Sequence, residues 1–486
     1  MTWIIDIFLI IILLNTIAAI ITVFHRQRSI PATLAWLTVL TLLPIIGFFI
    51  FAFLGRGIAQ ENLFNISHEE HIGLDHLKDM VQQELASQRP HSANETTNLV
   101  KRQAKYFDKY EDAPITTHNE TQIFTDGKAK FAALFQDIKN AQETINIEYY
   151  SFINDRLGQK TVQLLTQKAA EGVEVRVIYD RWGSPGANKK FFAPLIQAGG
   201  QVMPFITSQN AITKNRLNYH LHRKIVVIDG FIGWTGGFNI GEQYLGLKDK
   251  FGYWRDTHVR IFGYAALSLQ ERFILDWNAS VDKHHQKILF QEKYFPTHLK
   301  HSIGVTPIQI VSDGPDSQFD TLKGGFMSLV MNARKSIIIQ TPYLIPDDSM
   351  IDALLVAARS GVKIKIMIPN KPDHPFIYRA TQFYANLFTR NGIEVYIYNQ
   401  GFMHAKTAVF DNEVATIGSM NQDYRSYSLN FEANAFFYDK KVSRQLTNIF
   451  QNDMQHSTLL TPQMIAQQSH WLRFKQLFSR LLSPIL

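Results

Sequence analysis

The sequence predicts an α/β fold of two similar lobes packed about a pseudo-dyad, preceded by a two-helix transmembrane hairpin. Three observations carry this. Two long apolar runs open the chain. From residue 116 onward, short β-branched runs alternate with helical patterns. One template of polar residues then occurs twice, in register, within that alternation.

The apolar runs come first. Residues Thr2 to Phe24 are apolar apart from Asp6, Asn15 and a few threonines, and Ile30 to Leu54 carry no charge. Each exceeds the ~20 residues that span a bilayer as a helix. His25-Arg26-Gln27-Arg28-Ser29 forms a polar hairpin between them, and Pro31 sits early in the second helix, where a missing N–H costs least. A cleaved signal peptide is a poor fit, because the first run lacks a basic leader and a second run follows at once. Residues 1–56 therefore read as two transmembrane helices of a multi-pass cell-membrane protein. Arg26 and Arg28 against the lone Arg56 place the hairpin in the cytoplasm and the body outside, by a margin of one arginine. Residues 57–115 are polar and read as one short helix and a linker (RPHSANETT).

The body follows. TINIEYYSF, RLGQKTVQLLTQKAAEG and VEVRVIYD read as strand, helix, strand; SIIIQTPYLIP, MIDALLVAARSG and VKIKIMIP repeat that order. Such β-α-β runs argue for a layered sheet with strands buried on both faces. Gly172 and Gly361 fit helix C-terminal positions. The repeat divides the body into lobes at 116–295 and 296–456, with motif regions at 217–244 and 399–426. Residues 457–486 read as a basic amphipathic helix.

Composition narrows the chemistry. The 486 residues are 46% hydrophobic and 19% charged, enough for about three domains and unlike a disordered chain. There is no cysteine, which excludes disulfides, Cys-ligated metals and thiol nucleophiles. The +7 net charge suits anionic partners without choosing among them.

The template is H-x-K-x4-D-x6-G-small-x-N. It reads His222, Lys224, Asp229, Gly236-Gly237 and Asn239 in the first half. It reads His404, Lys406, Asp411, Gly418-Ser419 and Asn421 in the second, at one constant offset. A lone match would pass for a buried histidine; two in register make one cleft with two His, two Lys and two Asn. His and Lys two apart on a strand share a face. Two cations (Lys224, Lys406) and two amides (Asn239, Asn421) suit a phosphate. Two imidazoles can divide attack on phosphorus from proton transfer, with no metal or cofactor required. Asp229 and Asp411 complete the candidate catalytic motifs. Their odd offset from the histidines reads as a turn or inter-element hydrogen-bonding role.

At these residues the chain resembles the phospholipase D superfamily, whose members carry two H-x-K-x4-D motifs. GGFNIGEQYLG, YWRDTHVRIFG and GSMNQDYRSYSLNFEANA resemble bacterial cardiolipin synthases in particular, as do the N-terminal helices and the RLLSPIL ending. The resemblance implies transfer of a phosphatidyl group from one phosphatidylglycerol to another. Glycerol is released and the reaction passes through a phosphatidyl-histidine. It implies His222 as nucleophile and His404 as general acid/base. It also implies a carboxylate downstream of each motif that orients the imidazole, and Asp256 and Glu432 stand where these are expected. An ordinary salt bridge, for instance Asp256 with Arg255, is the competing reading. Expected partners are anionic phospholipid and the bilayer, not nucleic acid. A membrane-bound phospholipase D or phosphodiesterase is the competing activity, because it shares all of this chemistry.

Other residues read more plainly. His220 lacks the template. His284-His285 form a solvated loop rather than a chelate. Asp347-Asp348 can begin a helix. Tyr149, Tyr150 and Tyr343 sit on strands feeding the cleft. Periodicity leaves open whether the C-terminal helix packs on the body or lies on a membrane.

Overall fold

The computed structural model describes residues 98–483, apart from 112, 210–215, 217, 283–284, 290, 297–303 and 318. Before them it describes 30–43 and residues 3, 6, 10, 16, 17, 46 and 47. The segment 57–97 thus lies wholly outside the described residues, as does most of the expected hairpin over 1–56. Helix α1, Ile30–Leu42, falls within the second apolar run. Among the described residues no helix is long and apolar enough to cross a membrane.

The duplication is visible in the order of the strands. The first sheet runs 119–124, 258–263, 232–236, 224–228, 144–149, 174–179, 201–204 across its seven strands. The second contains the same arrangement as 308–313, 430–437, 414–418, 407–410, 336–340, 363–369, 394–398. Short strands at 115–116 and 457–459 are added at its two edges. In each lobe the last three strands of the shared order are parallel and the rest antiparallel. The sheets are therefore mixed. Crossover helices join the parallel strands: α2, Arg156–Ala170, in the first lobe and α3, Asp348–Arg359, in the second.

Local chemistry sets the ends of these elements. Asp155 and Asp347 each accept from a backbone N–H in the first turn, at 3.0 Å, so Asp347 is the helix cap its position suggested. Gly172 and Gly361, each at φ +94°, turn the chain out of the helices in a left-handed conformation that a side chain would resist. The central strands 144–149 and 224–228 are buried along their whole length; 224–228 is apolar after Lys224, whereas 144–149 also buries Thr144, Asn146 and Glu148.

The lobes share a core. Ile225, Val227, Val259 and Ile261 of the first sheet pack with Ile308, Ile310, Val409, Ile417 and Ala435 of the second. Each sheet's other face is covered by its own helices. Two further strand pairs cross between lobes. His220–Leu221 pairs in parallel with Asn430–Phe431, and Phe402–Met403 pairs in parallel with Trp254–Arg255.

Candidate active site

Those two crossing pairs build the site. The residue that follows His220–Leu221 is His222, and the one that follows Asn430–Phe431 is Glu432. The register therefore delivers His222 beside Glu432, and the His222 N–H donates to the Phe431 carbonyl at 2.9 Å. The second pair repeats this geometry. It sets His404 beside Asp256, with the His404 N–H donating to the Arg255 carbonyl at 2.7 Å.

Each imidazole is thus held by the opposite lobe. His222 Nδ1 lies 2.9 Å from both Glu432 oxygens, and His404 Nδ1 lies 2.6 Å from Asp256 Oδ2. A carboxylate on Nδ1 fixes the tautomer that carries its proton there and leaves Nε2 as a lone pair. Both carboxylates are completely buried. Burial pushes Glu432 up, but His222 and Lys224 outweigh it and hold the group below the usual carboxylate range. Burial acts the same way on Asp256, and His404 and Lys406 again outweigh it. Burial lowers both imidazoles to about 4, so they are neutral near pH 7.

Polar neighbours hold the carboxylates in place. Ser419 Oγ and Ser426 Oγ donate to Glu432, the latter at 2.8 Å. The Thr257 N–H donates to Asp256 Oδ1 at 2.7 Å. The template's Gly-small step now has a reason. A Cβ on Gly237 would stand 1.9 Å from Asp256 Oδ1. Ser419, its counterpart, instead gives its hydroxyl to Glu432. Arg255 is not the partner of the Asp256 carboxylate. It grips Asp453, with Nη2 at 2.7 Å from Oδ2.

The remaining template residues separate into two places. Lys224 and Lys406 are buried, each Nζ donates to the carbonyl of its own histidine, and Lys406 Nζ also lies 3.0 Å from His404 Nδ1. Burial lowers Lys224 to about 7 and Lys406 to about 8. Asn239 and Asn421 line the cleft with the two histidines. Asn239 Oδ1 accepts from the Ser151 N–H at 3.1 Å, and Asn421 Oδ1 is buried without a hydrogen-bond partner.

Asp229 and Asp411 lie elsewhere, at the far ends of their strands. Asp229 accepts from the N–H groups of Gln142, Glu143 and Thr144 at 2.8–3.0 Å. Asp411 does the same for Arg334, Lys335 and Ser336 at 2.7–2.9 Å. Both adopt left-handed backbone, φ 48° and 53°. The structure therefore removes them from the candidate catalytic set. Each ties a strand turn to the neighbouring strand, because a carboxylate is the acceptor that can take three N–H donors at once.

The cleft encloses about 490 Å³. Tyr150 and Tyr343 line it, and the Tyr150 ring meets His222 edge-on at 5.3 Å. Tyr149 turns into the core, where Lys130 donates to its hydroxyl at 3.0 Å. His220 lines the cleft with Nδ1 3.5 Å from Asp180. His285 pairs with Asp282 at 2.7 Å, and His284 lies outside the described residues. Among the described residues no group of three His, Asp or Glu side chains is placed to hold a metal ion. Sequence patterns did not single out Asp423 and Arg425, which also line the cleft. Burial raises Asp423 to about 6. Nothing in the spacing marked them, since neither belongs to the template.

Duplicated sheets with a histidine at each crossing define a two-lobed phospholipase D-like protein. The family described as cardiolipin synthase, PLD-like domain, matches residues 134–253 and again 326–454. The phospholipase D-nuclease N-terminal family matches residues 4–56. A cardiolipin synthase of Listeria monocytogenes serotype 4a is 45% identical over 478 residues, 98% of each chain. The major cardiolipin synthase ClsA of Bacillus subtilis is 43% identical over 475 residues, again 98% of each. The crystal structure of phosphatidylserine synthase from Haemophilus influenzae covers 79% of this chain and 100% of its own, with TM-score 0.59 at 14% identity, a likeness of fold. The chain belongs to the cardiolipin synthase family.

Proposed function

We propose that the protein is a phosphatidyltransferase that converts two phosphatidylglycerol molecules into cardiolipin and glycerol. One observation carries the reading: two neutral imidazoles line one cleft, each with its Nδ1 held by a buried carboxylate from the other lobe. His222 Nε2 attacks phosphorus, the bond to the glycerol oxygen breaks, and His404 delivers a proton to that oxygen. The phosphate's charge raises the proton affinity of His404, which takes up this proton at Nε2 from water as the lipid binds; deprotonation of the second lipid's hydroxyl restores it. A glycerol hydroxyl of a second phosphatidylglycerol then gives its proton to His404 as its oxygen attacks phosphorus. His222 departs. Lys224, Lys406, Asn239 and Asn421 supply charge and hydrogen bonds to the phosphoryl oxygens. The lobes, 116–295 and 296–456, are related by a pseudo-dyad through this cleft. Residues 1–56 anchor the enzyme by two transmembrane helices in the cell membrane, where both substrates are concentrated.

The test uses purified full-length enzyme in phosphatidylglycerol vesicles, with products read by mass spectrometry and His222→Ala as control. Cardiolipin with equimolar glycerol, absent in the variant, is the expected result. Phosphatidic acid in its place would mean that water reaches the intermediate and would overturn transfer.

A further inference from the structure

The C-terminal helix, α5, spans His470–Leu481 and lies against helix α4, Pro375–Arg390. Its amphipathic pattern is turned inside out. The polar residues face the body: Gln476 and Ser479 are buried, and Gln476 accepts from Asn386 at 3.1 Å. The apolar face looks outward. Trp471, Phe474, Leu477, Phe478 and Leu481 are each 47–76% exposed. Trp471 stacks on Phe474 at 5.4 Å, and Phe474 stacks on Phe478 at 6.4 Å, so the outward residues form one continuous ridge. A surface helix ordinarily buries that face, and a contiguous exposed apolar patch marks an interaction site.

Charge selects the occupant. Arg473, Lys475 and Arg480 lie within this helix, and no acidic residue follows Asp453. The Lys475 ammonium lies 5.2 Å from the Trp471 ring centre. Aromatic and leucine side chains bordered by cations match the headgroup–acyl boundary of an anionic bilayer. Position agrees with this. Helix α4 begins at the cleft, where His374 and Ile377 are lining residues. Phe376 between them is 50% exposed, and Trp182 across the cleft, also a lining residue, is 56% exposed. An apolar lip at the cleft is thus joined by α4 to the aromatic ridge.

We propose that α5 docks on an anionic phospholipid surface through Trp471, Phe474, Leu477, Phe478 and Leu481, and so holds the mouth of the cleft against the bilayer. The choice of lipid rests on the phosphatidyltransferase reading, and the test reads docking without turnover. The chain has no cysteine, so a single one takes a polarity-sensitive fluorophore cleanly. Leu477→Cys carries the probe. Glu171→Cys, beyond the helix end remote from the cleft, is the control. Both are made in full-length His222→Ala protein reconstituted in vesicles with brominated acyl chains. The expected result is a blue shift and quenching at 477 in phosphatidylglycerol-rich vesicles, weaker in pure phosphatidylcholine, and none at 171. Lys475→Glu added to Leu477→Cys should reduce the quenching while leaving the thermal midpoint unchanged. A probe at 477 that behaves like the control overturns the proposal. So does a blue shift that bromine does not quench, which would mean that a second copy of the chain covers the ridge. Failed cardiolipin formation by the wild type, with quenching intact, would instead count against the function assigned to the cleft.

Discussion

His222 and Glu432 are 210 residues apart in the chain and 2.9 Å apart in the structure. The contact is set by backbone register rather than by side-chain reach. Strand 220–221 of one lobe lies in parallel with the start of strand 430–437 of the other, and the next residue of each is the catalytic candidate. His404 and Asp256 repeat the arrangement. Neither imidazole is oriented until both lobes have folded and docked.

Glu432→Gln tests the orienting role. The amide can present its N–H to Nδ1 and select the wrong tautomer. A fall in kcat of about 10³–10⁴-fold is expected, with KM little changed. Loss confined to KM would assign Glu432 to substrate binding.

Gly237→Ala tests the close approach behind His404. The added methyl would stand 1.9 Å from Asp256 Oδ1 and must displace it. Activity should fall by at least 10²-fold, on the scale of lost general acid–base catalysis. Ser419→Ala removes a donor to Glu432 without a collision, and it should cost less.

Asp229→Asn separates structure from catalysis. Asparagine tolerates the left-handed backbone but cannot accept as a carboxylate does from three N–H groups. Stability should fall by about 1–3 kcal/mol in denaturant titration. Activity per folded molecule should stay within a few-fold of wild type.

The pH dependence has a definite sign. His222 and His404 stand at about 4 in the folded protein against 6.5 as free side chains, with burial the main cause. The unfolded chain therefore takes up protons first as pH falls. Stability from these groups is whole above about 6.5 and is lost toward 4. His222→Asn should flatten the acid limb of a plot of Tm against pH. On the alkaline side Lys224, lowered to about 7 by burial, loses its charge as pH rises. The kcat/KM profile of the free enzyme should decline there.

Arg223 locks the lobes. It donates to Asp276 in its own lobe, with Nη1 at 2.7 Å from Oδ2, and to the Glu432 and Asp313 carbonyls in the other, each at 3.1 Å. Arg223→Met leaves those buried acceptors short of a donor. The expected cost is about 3–5 kcal/mol by thermal or denaturant unfolding, with weakened coupling between the lobes.

Much of this was legible from residues alone. The template fell twice at one offset, and the two histidines and two asparagines do line one cleft. Short β-branched runs alternating with helical patterns marked the strands. The structural place of Asp229 and Asp411 followed from strand parity. Other features carried no local signal. Asp256 stood next to an arginine in sequence, yet its carboxylate goes to His404 while Arg255 goes to Asp453. Asp423 and Arg425 line the cleft, though neither belongs to the template. Helix 470–481 showed its periodicity, but periodicity is blind to which face the body covers.

The sequence by itself determined the family, the duplication, the strands that carry the template and the chemistry those side chains can perform. These depend on residue type and on spacing within a few residues, where backbone geometry is nearly invariant. Only the tertiary structure decided that each histidine takes its carboxylate from the other lobe, that each buried lysine donates to the carbonyl of its own histidine, and that the C-terminal helix turns its aromatic face outward. Such relationships depend on how two sheets dock and in what register, and that is settled by the summed packing of some dozens of distant apolar side chains.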